Sequence, residues 1–275
     1  MLMLSVSLII PVYNEENQIA ACLDAIADLA DAPDEVLVID NNCSDNTISI
    51  AKKYDFVSVI KETRQGLIYA RNTGFNSAKS DIYGRIDADA VLDKQWIRNV
   101  KRHFENDKKL AGLTGPAHST ILPFIHSKTT YGAMSYFRFV NACFRTKVMW
   151  GANMAIRATA WETVKDKVTL DDRLVHEDQD ISVWIAANSG RIEQFKDVLM
   201  TTDGSAFRGL QKTVYYFKLL FSTRRLHRRN RNLWSRVKKA PIITVLPGFL
   251  LSSLLLIPLF LTSIIAAPYD MLKRR

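Results

Sequence analysis

Acid is absent from one stretch of this 275-residue chain, and charge of either sign is absent from the next. Residues 204–240 hold eleven lysines and arginines and no aspartate or glutamate; residues 241–268, PIITVLPGFLLSSLLLIPLFLTSIIAAP, hold no charged side chain at all. Outside these segments and the tail Lys273–Arg275, acid slightly exceeds base despite a formal net charge of +9. The basicity therefore belongs to one band rather than to the whole surface. Cysteine is scarce as well. Cys22, Cys43 and Cys143 are too few and too scattered for a disulfide framework or a structural zinc site, which points to a reducing compartment. Neither Gly-x-Gly-x-x-Gly nor the P-loop pattern follows any Val/Ile run, which excludes the usual dinucleotide and P-loop phosphate cradles.

What is present is alternation. Runs rich in Val and Ile at Val6–Val12, Glu35–Asp40, Phe56–Lys61 and Ile82–Asp87 are separated by helical patterns near Glu15–Leu29, Asp45–Tyr54 and Leu67–Ser77. This succession predicts an α/β domain on a mixed, mainly parallel sheet with helices on both faces. The opening MLMLSVSLIIPVY lacks the basic flank and cleavage site of a signal peptide and reads as the first strand.

Ligands of open parallel sheets bind beyond the carboxyl ends of the strands. Polar clusters fall there: Tyr13-Asn14-Glu15, Asp40-Asn41-Asn42 and Asp87-Ala88-Asp89. Any one of them fits a loop or a helix cap, with Ser44 or Asp45 capping the second helix; three on one rim describe a binding site. An Asp-x-Asp turn supplies hard oxygens suited to Mg²⁺ or Mn²⁺, ions that take the rest of their shell from water and substrate phosphates. Such an ion neutralises a departing diphosphate.

Six segments then occur in a recognisable order: IIPVYNEENQIAACLDAI at Ile9–Ile26, VIDNNCSDNT at Val38–Thr47, QGLIYARNTG at Gln65–Gly74, RIDADA at Arg85–Ala90, GANMAIR at Gly151–Arg157 and HEDQDIS at His176–Ser182. Together they resemble the family 2 glycosyltransferases, over roughly Leu4–Asp203. The resemblance implies a GT-A fold and inverting transfer of a sugar from a nucleotide diphosphate to an acceptor hydroxyl. It also implies roles: Tyr13 and Glu15 against the nucleoside, Asp40 on the base, Arg71 near the diphosphate, Asp87 on ribose or metal, Asp89 as direct metal ligand and Asp178 as general base. Asn153 and Glu177 are candidates for the acceptor side. These assignments are chemically coherent, since a carboxylate can take the acceptor proton and a guanidinium can pair with phosphate. Read alone, Arg71 fits a surface ion pair, and Asp178 a helix N-terminal acid favoured by the macrodipole.

Two residues depart from the family pattern. Asn41 stands where a second acid is common, and Ala90 where another Asp often follows the Asp-x-Asp. No Gln-x-x-Arg-Trp of processive members is found, which favours single-sugar transfer. His176 has no second histidine at ligand spacing and reads as a loop contact, and Asp180 as secondary. The aromatics Tyr131, Tyr136, Phe137, Phe139, Phe144 and Trp150 fit either an acceptor cleft or an ordinary subdomain core.

The sequence divides into a catalytic domain at 1–203, a basic amphipathic interfacial segment at 204–240 and a transmembrane or re-entrant segment with a basic tail at 241–275. Phe207, Leu210, Val214, Phe217 and Phe221 recur at helical spacing and suggest an apolar stripe facing lipid, while RRLHRRNR attracts anionic head groups. The 28 uncharged residues 241–268 are long enough for one bilayer crossing, with Pro247 and Pro258 allowing a re-entrant hairpin. A basic run beside such a segment argues for membrane rather than nucleic acid as partner. The expectation is an envelope, glycolipid or lipid-linked oligosaccharide glycosyltransferase at the inner membrane, its catalytic domain cytoplasmic and its donor a nucleotide sugar, with UDP favoured. A polyprenyl-phosphate sugar synthase and a non-catalytic nucleotide-sugar-binding scaffold are the alternatives.

Overall fold

The computed structural model describes residues 4–119, 137–202 and 210–237. The uncharged segment 241–268, the basic tail, Phe207, Tyr131 and Tyr136 lie outside the described residues.

Strands β1 (Val6–Val12), β2 (Glu35–Asp40), β3 (Val57–Lys61) and β4 (Ile82–Ile86) run parallel, joined by helices α1 (Ile19–Ala27), α2 (Thr47–Ala51) and α3 (Leu67–Ser77). After β5 (Val91–Leu92) and α4 (Trp96–Asn106) come β6 (Leu110–Thr114) and β7 (Ala117–Ser119). A helical stretch over residues 137–144, α5, precedes β8 (Asn153–Arg157) and α6 (Ala158–Val164). The rest is α7 (Glu177–Ala187), β9 (Arg191–Gln194), β10 (Met200–Thr202), α8 (Leu210–Arg229) and α9 (Arg231–Arg236). Among the described residues the main sheet has the order β3-β2-β1-β4-β8-β6-β9, and only β8 runs antiparallel to its neighbours. A small sheet, β5-β10-β7, sits beside it.

Alternation along β1 sends Leu8, Ile10 and Val12 to one face, where Ile19, Leu23 and Ile26 of α1 and Trp96, Val100 and Phe104 of α4 cover them. Ile9 points the other way, into a core with Phe75 of α3, Trp161 of α6 and Ile181 of α7. Both faces of the parallel strands are thus buried, as crossover helices require. The architecture is the mixed, mainly parallel α/β type expected, and α3 spans the residues read from the sequence.

Two helices start later than their polar sequence suggests. Asn14 adopts φ 56, and residues 14–18 form a turn in which the Glu15 carbonyl accepts from the amides of Gln18 and Ile19. Asp45 precedes α2 and accepts both the Thr47 amide and hydroxyl through Oδ1.

The C-terminal helix corrects the expected stripe. α8 buries Leu219, Leu220, Thr223 and His227, and Leu220 joins a third core cluster with Phe139, Phe144, Val183 and Leu233. Val214 and Phe221 are exposed, and Phe217 is half-buried against Phe139. The reason is that α5 and α7 offer an apolar surface to the face carrying Leu219 and Leu220. Among the described residues no helix is long and apolar enough to cross a membrane.

Candidate active site

A cavity of about 970 Å³ opens beyond the carboxyl ends of β1 and β4. The β1 end contributes Tyr13 and Glu15, the β4 end Arg85, Asp87 and Asp89, and the start of α7 His176 through Gln179. Tyr215, Tyr216 and Leu219 of α8 complete the wall, with Phe137 of α5 and Trp150 before β8. Two of the six aromatics noted in the sequence, Phe137 and Trp150, therefore line the cavity, whereas Phe139 and Phe144 pack in the third core.

Asp87 and Asp89 leave β4 side by side. Asp87 Oδ1 pairs with Arg85 Nη2 at 2.7 Å, and Asp89 Oδ2 accepts the Thr202 hydroxyl at 2.6 Å. No cluster of three or more His, Cys, Asp or Glu able to hold a metal occurs among the described residues. This thin donor set fits an ion that keeps several waters and shares a diphosphate, and not one needing an all-protein cage. The charge there is felt by its neighbours: burial first, then Asp89 and Asp87, push the Cys22 thiol up. A cation at the turn would relieve that accumulation of negative charge.

Arg85 was not singled out by sequence, although an arginine inside an otherwise apolar strand requires a partner. It is 2% exposed and stands between Asp87 and Glu177, whose Oε1 lies 3.4 Å from Nη1. Burial opposes its charge, but Asp87, Glu177, Asp178 and Asp89 hold it firmly protonated. Its approach leaves no room beside Gly151, where an added Cβ would sit 2.0 Å from Arg85 Nη1 and 2.6 Å from Glu177 Oε1.

Asp178 lies in the first turn of α7, where the helix dipole favours acids, and is 3% exposed. Its Oδ2 accepts the Gly151 amide at 2.8 Å, and its Oδ1 is 2.6 Å from His176 Nδ1. Burial acts to raise the Asp178 pKa; His176, the Gly151 amide and Arg85 more than offset this and hold it below the usual carboxylate value. His176 is correspondingly pushed up, against its burial, chiefly by the Asp178 charge. The loop contact expected for His176 is thus an ion pair in the cavity wall, and its position two residues before Asp178 at a helix start was the available signal.

Three predicted residues lie elsewhere. Asp40 is buried below the rim, accepting from the Cys43 amide and from Lys61 Nζ at 3.0 Å. Arg71 has no exposed surface; its Nη1 donates to Glu177 Oε2 at 2.5 Å and to the Glu177 carbonyl at 2.8 Å. It is neither at the surface nor at the cavity. Asn153, also fully buried, accepts the Trp96 indole N–H and donates to the Val198 carbonyl. Glu177 lines the cavity but spends its carboxylate on Arg71 and Arg85. Asn41 explains its own departure from a second acid: its amide nitrogen donates to the Arg64 carbonyl while its oxygen accepts the Gly66 amide. A carboxylate could not make the first bond.

The sequence model of glycosyl transferase family 2 matches residues 7–164. Glycosyltransferase AglE of Haloferax volcanii is 38% identical over 99 residues, 34% of this chain and 33% of that protein. A dolichyl N-acetyl-glucosaminyl phosphate diacetamido-dideoxy-glucuronosyltransferase of Methanococcus voltae is 26% identical over 165 residues, 53% of this chain and 51% of that one. The chain thus spans between one third and about half of these relatives' lengths. Among solved structures, a mannosyltransferase of Pyrobaculum calidifontis in complex with GDP-mannose and Mn²⁺ superposes with a TM-score of 0.60 at 17% identity, over 98% of this chain and 88% of that one.

Proposed function

The chain belongs to glycosyl transferase family 2, and we propose that this member is a metal-dependent, inverting enzyme that moves one sugar from a nucleotide diphosphate to a hydroxyl of a lipid-linked or glycan acceptor at a membrane surface. The observation that carries this reading is the convergence of two chemistries on one cavity. An Asp87/Asp89 turn fit for a diphosphate-bound cation and a His176–Asp178 pair fit for proton transfer share its lining.

Inversion is a single displacement. The acceptor oxygen attacks the anomeric carbon as the diphosphate leaves from the other side, and a group in the wall must take the hydroxyl proton. Asp87 and Asp89 would hold Mn²⁺ or Mg²⁺, which supplies charge neutralisation for the leaving diphosphate. Arg85 fixes Asp87 against the start of α7, so the two halves of the site keep their spacing. Tyr13, 52% exposed, offers a ring for the nucleoside to stack on, and a uridine donor is the first to test.

Membrane attachment is supported by charge and geometry together. Lys218, Arg225, Arg228 and Arg229 accompany exposed Val214 and Phe221 on the outward side of α8, the helix whose inner side walls the cavity. The uncharged residues 241–268 follow shortly after. In this reading α8 sets the catalytic domain on the lipid surface with its cavity near a lipid-borne acceptor, and the domain faces the cytoplasm, where nucleotide sugars are made.

The test is nucleoside diphosphate release by the detergent-purified protein from a panel of nucleotide sugars, with Mn²⁺, Mg²⁺ or EDTA and with lipid extract as acceptor. One donor should turn over, stimulated by lipid, abolished by EDTA and reduced about 10²-fold or more in Asp89→Ala. If no nucleotide sugar binds or turns over, the reading is wrong.

A further inference from the structure

We propose that Tyr216 of α8 contacts the transferred sugar: its phenol hydroxyl donates a hydrogen bond to a hydroxyl of the donor's hexose and so helps to decide which sugar the enzyme accepts. The inference rests on the inverting transfer proposed above, with the leaving diphosphate at Asp87 and Asp89 and the acceptor hydroxyl at Asp178.

The place of the ring follows from the register of α8. Tyr216, Leu219, Leu220, Thr223 and His227 fall three, four, seven and eleven residues apart from the first, on one face of the helix. The last four are buried, and the helix is pinned there. Thr223 Oγ1 accepts the His176 amide at 2.7 Å, Arg224 Nε donates to the Cys143 carbonyl at 2.9 Å, and Leu220 packs with Phe139, Phe144 and Val183. One turn earlier the same face leaves the core and runs over the cavity, where Tyr216 stands half-buried in the wall.

Both ends of the reaction face this ring. Its centroid lies 5.6 Å from that of His176, whose Nδ1 is 2.6 Å from Asp178 Oδ1. Arg85 spans from Asp87 at 2.7 Å to Glu177 at 3.4 Å, so the Asp-x-Asp turn and the start of α7 are one guanidinium apart. Tyr216 feels the charge at each end: burial first, then Asp87, Tyr215 and Asp178, push the phenol pKa up against Arg85, and it stays a hydrogen-bond donor.

In a single displacement the anomeric carbon lies between the departing and the attacking oxygens. A side chain that faces both Asp87 and Asp178 therefore flanks the sugar passing between them. Among the described residues the phenol oxygen has no hydrogen-bond partner, although tyrosine hydroxyls ordinarily find one when buried, and a sugar hydroxyl supplies it. Tyr216 positions the sugar and exchanges no proton with it. The family match covers residues 7–164, so a contact from α8 belongs to a part of the chain free to differ between members and suited to setting sugar choice.

Calorimetric titration of the full-length, detergent-purified protein in Mn²⁺ compares wild type with Tyr216→Phe, which keeps the ring against His176 and removes the hydroxyl alone. The probes are UDP and GDP, each free and as its hexose and N-acetylhexosamine conjugates. For the conjugate that wild type binds most tightly, Tyr216→Phe should weaken binding about three- to tenfold and leave the free diphosphate within about twofold. Monodeoxy forms of that conjugate give a second readout: one should bind wild type more weakly than its parent, and Tyr216→Phe should bind the two alike. A residue serving only the packing of α8 would move free diphosphate and conjugate together. The inference is overturned if Tyr216→Phe binds the conjugate as wild type does, if the free diphosphate loses as much, or if every deoxy penalty of wild type persists. Wild type that binds none of the probes would instead refute the nucleotide-sugar reading, and this inference with it.

Discussion

Replacing Arg71 with methionine asks whether that guanidinium belongs to the fold or to the donor. The side chain has no exposed surface, makes two bonds to Glu177 and holds Asn72 Oδ1 through Nε and Nη2. Methionine keeps comparable apolar bulk beside Trp161, so the loss is chiefly electrostatic. Glu177, 5% exposed, is left with Arg85 at 3.4 Å. Breaking a buried ion pair from one side costs about 3–5 kcal/mol. The surviving Arg85 contact places the expectation at the lower end, about 3 kcal/mol, or a Tm fall of roughly 6–12 °C for a domain of this size. Glu177→Gln alone leaves two buried guanidiniums together and should cost at least as much. The double variant should cost less than the sum, with a coupling of at least about 1.5 kcal/mol. Urea unfolding followed by tryptophan fluorescence measures all three, and calorimetric titration with donor measures binding by the folded fraction. An unchanged midpoint with a tenfold weaker donor would refute the reasoning, because the guanidinium would then serve the diphosphate, as the family resemblance implies.

Gly151→Ala should cut kcat at least about tenfold, since the new methyl displaces Arg85 and Glu177 and with them the spacing of the two catalytic groups; steady-state turnover checks it. Glu62 is 5% exposed and is held to a pKa of about 2, foremost by Arg64 and also by Thr73, against its burial. A lowered carboxyl pKa stabilises above the unfolded value of 4.5 and loses that contribution as pH falls from 4.5 towards 2. The full shift is worth about 3 kcal/mol, discounted to about 2 kcal/mol because Arg64 is solvent-exposed. Glu62→Gln should therefore lose about 2 kcal/mol at pH 7 and almost nothing near pH 2, as read by urea titration at each pH. Arg225→Glu with Arg228→Glu should weaken cosedimentation with anionic vesicles at least about tenfold, at roughly 1 kcal/mol per lost cation, and leave binding to neutral vesicles unchanged.

The fold was legible because burial on two faces writes itself into sequence. The runs at Val6–Val12 and Glu35–Asp40 are continuous and apolar because α1 and α4 cover one side and α3, α6 and α7 the other, and nothing else tolerates such strands. Helix ends were less legible, because Asn14 at positive φ and Asp45 beside Thr47 spend helix-forming residues on a turn that shapes the cavity floor. The face of α8 was misread for a related reason. Its sequence carries two overlapping apolar stripes, Val214 with Phe221 and Leu219 with Leu220, and periodicity does not say which one the protein itself covers.

Site residues show the same limit at finer scale. Residue type and strand position located Tyr13, Glu15, Asp87 and Asp89, and the family resemblance added Asp178; the structure brings all five to one cavity. Neither could assign partners. The guanidiniums of Arg71 and Arg85 can bind a phosphate, the Glu177 carboxylate can bind a metal, and they can bind one another; the choice is made by burial: with Arg71 unexposed and Arg85 at 2%, each guanidinium requires a carboxylate, and Glu177 is the one both reach. With Glu177 spent on the two guanidiniums, Asp178 stands beside it at the cavity wall, its Oδ2 accepting the Gly151 amide and its Oδ1 lying 2.6 Å from His176 Nδ1. The setting of Asp178 thus follows from a chain of pairings that starts at Arg71, outside the cavity, which is why the Glu-Asp motif read alone does not reveal it.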